Sequence, residues 1–145
     1  LTWQFLFCTT GFGAQQNTAA RHGVATQIFV LEISASLNSL VLATANEELT
    51  TNETTNNAFV YVELFISDTS TRTTGAANST EFCGLSGTNI TPNQHHFVFN
   101  RSGALLTPYG GTQYVIYAVT WDADLSLDGT IELNDYGKLD ALVFS

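Results

Sequence analysis

A chain of 145 residues with a net charge of −9 and only 12% charged residues, about half the share usual in globular proteins, excludes several partners before any pattern is read. Its four cations, Arg21, Arg72, Arg101 and Lys138, cannot neutralise a phosphate backbone, so nucleic acid and anionic membrane surfaces make poor partners. The length fits a single domain over residues 1–145, large enough to bury about 68–70% of the surface its unfolded chain exposes.

Thr, Ser and Asn fill the polar surface in place of charge, a composition associated with extracellular and virion-surface β-proteins. Position 1 is Leu and the sequence holds no Met, as expected where a signal peptide or other leading segment has been processed away. Removal of a signal peptide would make the protein secreted.

In chain order, the opening LTWQFLFC alternates, with Trp3, Phe5 and Phe7 on one side and Gln4, Leu6 and Cys8 on the other. It reads as a strand with an aromatic face, and residues 1–8 are a candidate donor or edge strand. A Gly-containing loop follows. From Gln27, QIFVLEISASL alternates Phe29, Leu31, Ile33, Ala35 and Leu37 against Ile28, Val30, Glu32, Ser34 and Ser36; Asn38-Ser39 is a two-residue turn, and Leu40 to Ala45 a returning strand. A helix over Val24 to Leu49 scatters Phe29, Val30, Ile33 and Leu40 around its cylinder, so the strand template fits better. A membrane span there would carry Glu32 and Asn38 near its middle, at a cost of several kcal/mol. No membrane insertion is expected.

Glu47 to Asn57 reads as a polar loop. Ala58 to Ser67 places Val60, Val62, Leu64 and Ile66 on one face, with Phe59, Tyr61 and Phe65 on the other, as a central or interface strand does. A polar loop covers Asp68 to Ser79, and Glu81 to Leu85 is short and Gly-flanked. His96 to Phe99 and Ala104 to Leu106 flank Asn100-Arg101-Ser102-Gly103, which reads as a hairpin turn. Tyr114 to Trp121 is β-branched and aromatic throughout, the pattern of a centre strand covered on both faces. Past Trp121 strict alternation resumes, and Asp128-Gly129 is a type I′ turn pair, so Gln113 to Leu133 reads as one long hairpin. Leu139 to Phe144 closes the chain as a last strand or a helical turn. The expected fold is all-β: a two-sheet antiparallel β-sandwich or jelly roll.

Cys8 and Cys83 are the two cysteines, and in an oxidising compartment a bridge between them is expected to tie the first strand to the body. Asn52, Asn78, Asn89 and Asn100 each begin a glycosylation sequon, all in expected loops or turns, so surface glycans are expected. His95 and His96 are neighbours, so a strand would point them to opposite faces, away from a shared ion. Glu32, Glu63 and Asp122 are the carboxylates available for a glycosidase pair. Single carboxylates on a solvent face are far commoner than catalytic pairs, and no triad, phosphate loop or metal helix appears, so an enzyme is not expected.

The run Asp124 to Asp135 resembles the twelve-residue calcium loop of the EF-hand and dockerin families. Asp124, Ser126, Asp128, Glu132 and Asp135 stand where that loop puts oxygen side chains, with Gly129 at its sharp turn and Ile131 two positions on. The resemblance implies a calcium site on Asp124, Ser126, Asp128 and Asp135. It departs from the pattern at Leu125 and Leu127, and Asp135 stands in place of the bidentate Glu. A hairpin accounts for the same residues, both leucines included, and no cofactor is then required.

Two functions compete. A structural subunit of an extracellular assembly, pilus-like or on a virion surface, fits the aromatic first strand and the strands apolar on both faces; copies of the chain are then its partners, joined by strand edges that include Trp3, Phe5 and Phe7. A carbohydrate-binding module fits the stock of aromatic residues, among them Trp3, Tyr61, Tyr109, Trp121 and Tyr136. Coplanar exposed rings would favour the second.

Overall fold

The computed structural model describes residues 3–9, 19–20, 26–51, 58–71, 79–83, 86–90, 96–123 and 131–144, with side chains over 29–48, 59–71, 79–83, 87–88, 98–120 and 137–144. Among the described residues ten strands run in order: β1 (Trp3–Thr9), β2 (Ala19–Ala20), β3 (Thr26–Ala35), β4 (Leu40–Thr51), β5 (Ala58–Ser67), β6 (Ser79–Glu81), β7 (Ser86–Ile90), β8 (His96–Leu106), β9 (Gly111–Ala123) and β10 (Ile131–Phe144). Sheet A has the order β1-β10-β4-β8, with β2 also on β10; sheet B has β3-β9-β5-β6, with β7 also on β5. Every pairing is antiparallel. With β2 set aside and β6 and β7 counted together, the order is 1-8-3-6 over 2-7-4-5, the two interleaved Greek keys of an eight-stranded jelly roll.

Period-two patterning builds the core. Phe29, Leu31, Ile33 and Ala35 of β3, Val60, Val62, Leu64 and Ile66 of β5, and Val115, Tyr117 and Val119 of β9 are buried from sheet B. Val41, Ala43 and Ala45 of β4 and Leu139, Ala141 and Val143 of β10 meet them from sheet A. Small residues line the inner face of sheet A, which leaves room for Phe29 and Tyr117 in a layer about 10 Å thick. β9 is a centre strand, as its sequence suggests: Ile116 and Ala118 on its other face form a second buried cluster with Phe65 and Tyr114.

The local connections differ from those the sequence suggests. The turn does fall at Leu37 and Asn38, and Asn38 takes φ 62°, a left-handed conformation that Asn tolerates. It does not close a hairpin, because β3 and β4 belong to opposite sheets. Both strands are apolar on the face turned to the same core, so the chain crosses between layers instead of folding back within one. The same reason overturns the long hairpin: β9 lies in sheet B and β10 in sheet A, with 124–130 outside the described residues. No turn interrupts 100–103, since β8 pairs continuously with β4 from His96 to Leu106. Nor is Glu47 in a loop, for β4 extends to Thr51. The last segment is strand and not a helical turn: β10 runs fourteen residues.

Two crossovers are fastened together at one end. Asn38 N–H donates to Thr107 O at 3.0 Å, Thr107 N–H to Ser39 O at 2.8 Å, and Ser39 N–H to Thr107 Oγ1 at 2.9 Å. Thr107 Oγ1 in turn donates to Ser36 O at 2.5 Å. The β3–β4 corner is thereby bonded to the chain leaving β8, which explains why Ser39 and Thr107 are polar yet buried.

Candidate functional site

A strand edge is the first place where this fold can meet another chain. β1 pairs with β10 over seven residues, from Trp3 opposite Phe144 to Thr9 opposite Lys138. The first strand thus lies at the edge of its own sheet. Trp3, Phe5 and Phe7 stand at the register positions of Phe144, Leu142 and Asp140. Among the described residues β1 has a neighbour on one side only, so its other edge presents backbone N–H and C=O groups that a further strand can take up.

Among the described side chains, the carboxylate most removed from solvent is one the sequence reading put in a loop. Glu47 continues the inward row of Val41, Ala43 and Ala45, is 1% exposed, and lies beside Gly137 and Phe29. Among the described residues neither of its carboxylate oxygens has a hydrogen-bond partner. Burial pushes its pKa up to about 9, and the Glu48 charge adds to the rise. Tyr117 is likewise raised, by burial first and Glu47 second, against the opposing pull of Arg101. Glu47, Tyr117 and Arg101 thus share one electrostatic neighbourhood inside the sandwich, in which Glu47 is a neutral acid at pH 7. Glu48 occupies the opposite face of β4, so the two adjacent acids do not form a facing pair. The signal that could have found Glu47 is the unbroken alternation from Val41 onward.

Sheet B carries an aromatic pair on its outer face. Phe59 and Tyr61 of β5 stack with ring centroids 5.8 Å apart and 23° between planes, and Phe59 is 46% exposed. The Tyr61 ring lies against Gly87 of β7, where a Cβ would come within 2.9 Å of it. Tyr109, by contrast, is half-buried, and its hydroxyl pKa is pushed up to about 12 by burial and then by Asp68.

The remaining expected sites scatter. Cys83, expected to bridge to Cys8, carries a free thiol in this structure. Topology explains it: Cys8 aligns across sheet A with Leu139, Ala45 and Arg101, three strand spacings or about 14 Å from β8. Phe82, next to Cys83, packs over Gly103 of that same β8, whereas a bridge needs Cα atoms within about 7 Å. Asn100 is exposed on β8, and Asn89 lies in β7, so both are on strands and not in turns; Asn52 and Asn78 lie outside the described residues. Of the calcium-loop residues, Asp124, Ser126 and Asp128 lie outside the described residues, and Asp135 is within β10. Glu32 is exposed on β3 and Glu63 half-buried on β5; Asp122 is in β9. Among the described residues no group of three His, Cys, Asp or Glu side chains could hold a metal ion.

No protein-family profile and no curated protein matches the chain. Solved structures do. The chain is similar to a protein of T=1 particles derived from infectious bursal disease virus, at TM-score 0.60 and 11% identity, over 98% of this chain and 32% of that one. It is also similar to a protein in the T13 particle of that virus, at TM-score 0.57 and 10% identity, over 98% of this chain and 31% of that one. The chain thus spans about a third of the length of these structures, and at this identity the likeness establishes the fold. A xylan-binding module matches at TM-score 0.37 and 12% identity, over 97% of this chain and 90% of that one, too low a score to argue from.

Proposed function

We propose that the chain is a non-enzymatic structural subunit that associates with copies of itself in an extracellular or virion-surface assembly. The observation that carries this reading is the jelly-roll fold, whose likeness to proteins of virus particles extends over 98% of the chain. Supporting it, the open edge of β1 offers backbone pairing to a neighbouring chain. Such a role requires no cofactor; calcium at Asp124, Ser126, Asp128 and Asp135 would be an accessory. Glycans on Asn52, Asn78, Asn89 and Asn100 belong to the same reading, and Asn100 is exposed. Light scattering and electron microscopy of the purified chain should find closed or extended multi-copy particles. A species that stays monomeric at every concentration would sink the proposal.

A second reading, glycan binding, is favoured by one observation: the stacked, partly exposed Phe59–Tyr61 pair on sheet B, a surface on which a sugar ring can lie. Calorimetric titration with neutral oligosaccharides separates the two, since only this reading expects heat that disappears in Phe59→Ala.

A further inference from the structure

The outer face of sheet A concentrates its apolar residues in one half, with Val98 of β8 and the register position of Phe7 outside it. Antiparallel register puts Leu106, Leu40 and Phe144 in one cross-strand row and Ala104, Leu42 and Leu142 in the next. None of the six is buried, and Leu106 is 58% and Leu42 38% exposed. Trp3 and Phe5 occupy the register positions that continue these rows onto β1. The following rows turn polar: Ser102, Thr44 and Asp140, then Asn100, Asn46 and Lys138, with Lys138 Nζ 2.7 Å from Asp140.

Core packing does not explain the apolar rows, because the strand residues that alternate with them, Val41, Ala43, Ala141 and Val143, already fill the inner face. A sheet face that is apolar over adjacent rows on three strands is expected to be covered by something. Charge identifies what. The chain carries −9, so two copies repel wherever carboxylates would meet. The apolar rows contain no ionisable residue, and the nearest acid on the face, Asp140, is neutralised by Lys138. Glu48 of that face lies beyond the polar rows, whereas on the outer face of sheet B Glu32 and Glu63 stand next to the apolar Val30 and Phe65 along their strands. Sheet A is therefore where an acidic chain meets its like with least repulsion, and leucine rows are self-complementary about a two-fold axis.

We infer that a second copy of this chain packs against the apolar half of the outer face of sheet A, burying Leu40, Leu42, Leu106, Leu142 and Phe144 in a face-to-face contact. The inference rests on the assembly reading and adds to it a surface distinct from the β1 edge.

The test compares the wild-type chain with Leu42→Glu/Leu106→Glu, and with Val30→Glu on the outer face of sheet B as control, by analytical ultracentrifugation over a wide concentration range. Circular dichroism and thermal midpoints establish that the exposed substitutions leave the fold intact. Desolvating two carboxylates at the contact should weaken self-association on the order of 100-fold, while the control stays within a few-fold of wild type. Wild-type self-association that the double variant retains overturns the face contact and leaves the assembly reading standing. A wild-type dimer that goes no further, and is lost in the double variant, upholds the face contact while the assembly reading falls. A wild-type chain monomeric throughout overturns both.

Discussion

The carboxyl group of Glu47 takes up the space that a Cβ on Gly137 would fill. Built there, that atom would lie 2.8 Å from the Glu47 Cδ, closer still to Oε2, and 2.9 Å from the Phe29 ring. The two residues face each other in the β4–β10 register, just where β10 resumes pairing after an irregularity between Leu133 and Gly137.

Gly137→Ala should therefore destabilise by overpacking, by about 1–3 kcal/mol, measured from urea midpoints. Glu47→Ala opens the space the methyl needs, so the glycine substitution should cost less in that background. A double-mutant cycle showing no coupling would contradict the packing account.

Glu47 also predicts how stability depends on pH. Its carboxyl titrates near 4.5 when unfolded and at about 9 when folded, so between those values the folded state holds a proton that the unfolded state has released. The sign follows: stability is greatest below the unfolded value and falls as pH rises toward 9, by at most about 1.4 kcal/mol per pH unit from this group. Glu47→Gln removes the titration. Denaturant midpoints of the two chains should converge near pH 4 and diverge above pH 6, with the variant the more stable; parallel curves would refute the buried neutral acid.

Thr107→Val keeps the shape at the two crossovers but deletes the hydroxyl that accepts from Ser39 N–H and donates to Ser36 O. Leaving those buried groups with one partner fewer should cost about 1–3 kcal/mol, read from thermal unfolding. An unchanged midpoint would mean that the corner is held by the backbone bonds alone.

Two thiols should be titratable. Alkylation of the unreduced, denatured protein is expected to add two adducts by intact mass, and Cys83→Ala should leave non-reducing electrophoretic mobility unchanged. A chain that accepts no adduct until reduced would restore the bridge that Cys83 lacks here.

Alternation made much of this fold legible. The inward rows of β3, β5 and β9 follow from period two alone, as does the double-sided burial of β9, because side-chain direction in a strand is a local property. What the sequence concealed is which strand joins which. Asn38-Ser39 looks the same whether it ends a hairpin or a crossover, since the turn needs only a residue that accepts positive φ. The Asn100 to Gly103 segment looks like a turn by composition, yet Arg101 and Gly103 alternate inward with Phe99 and Leu105 along one strand. Glu47 was hidden for a related reason: a carboxyl in a core row reads as the start of a loop unless its environment is known to hold it neutral. The apolar half of sheet A was concealed by register, because Leu40, Leu106 and Phe144 are far apart in the chain and become neighbours only through β10 and β8.

The position of β10 has a bearing on how the molecule comes into being. Among the described residues, β5 and β6 are the only strands consecutive in sequence that hydrogen-bond to each other; β1 must wait for β10, which lies between it and β4. Sheet A consequently cannot close until the C-terminal strand has emerged from the ribosome, and until then β1 and one flank of β4 lack the neighbour that separates them. Such remote pairing makes for slow folding, on the order of milliseconds to seconds, with a window in which unfinished chains are prone to aggregate.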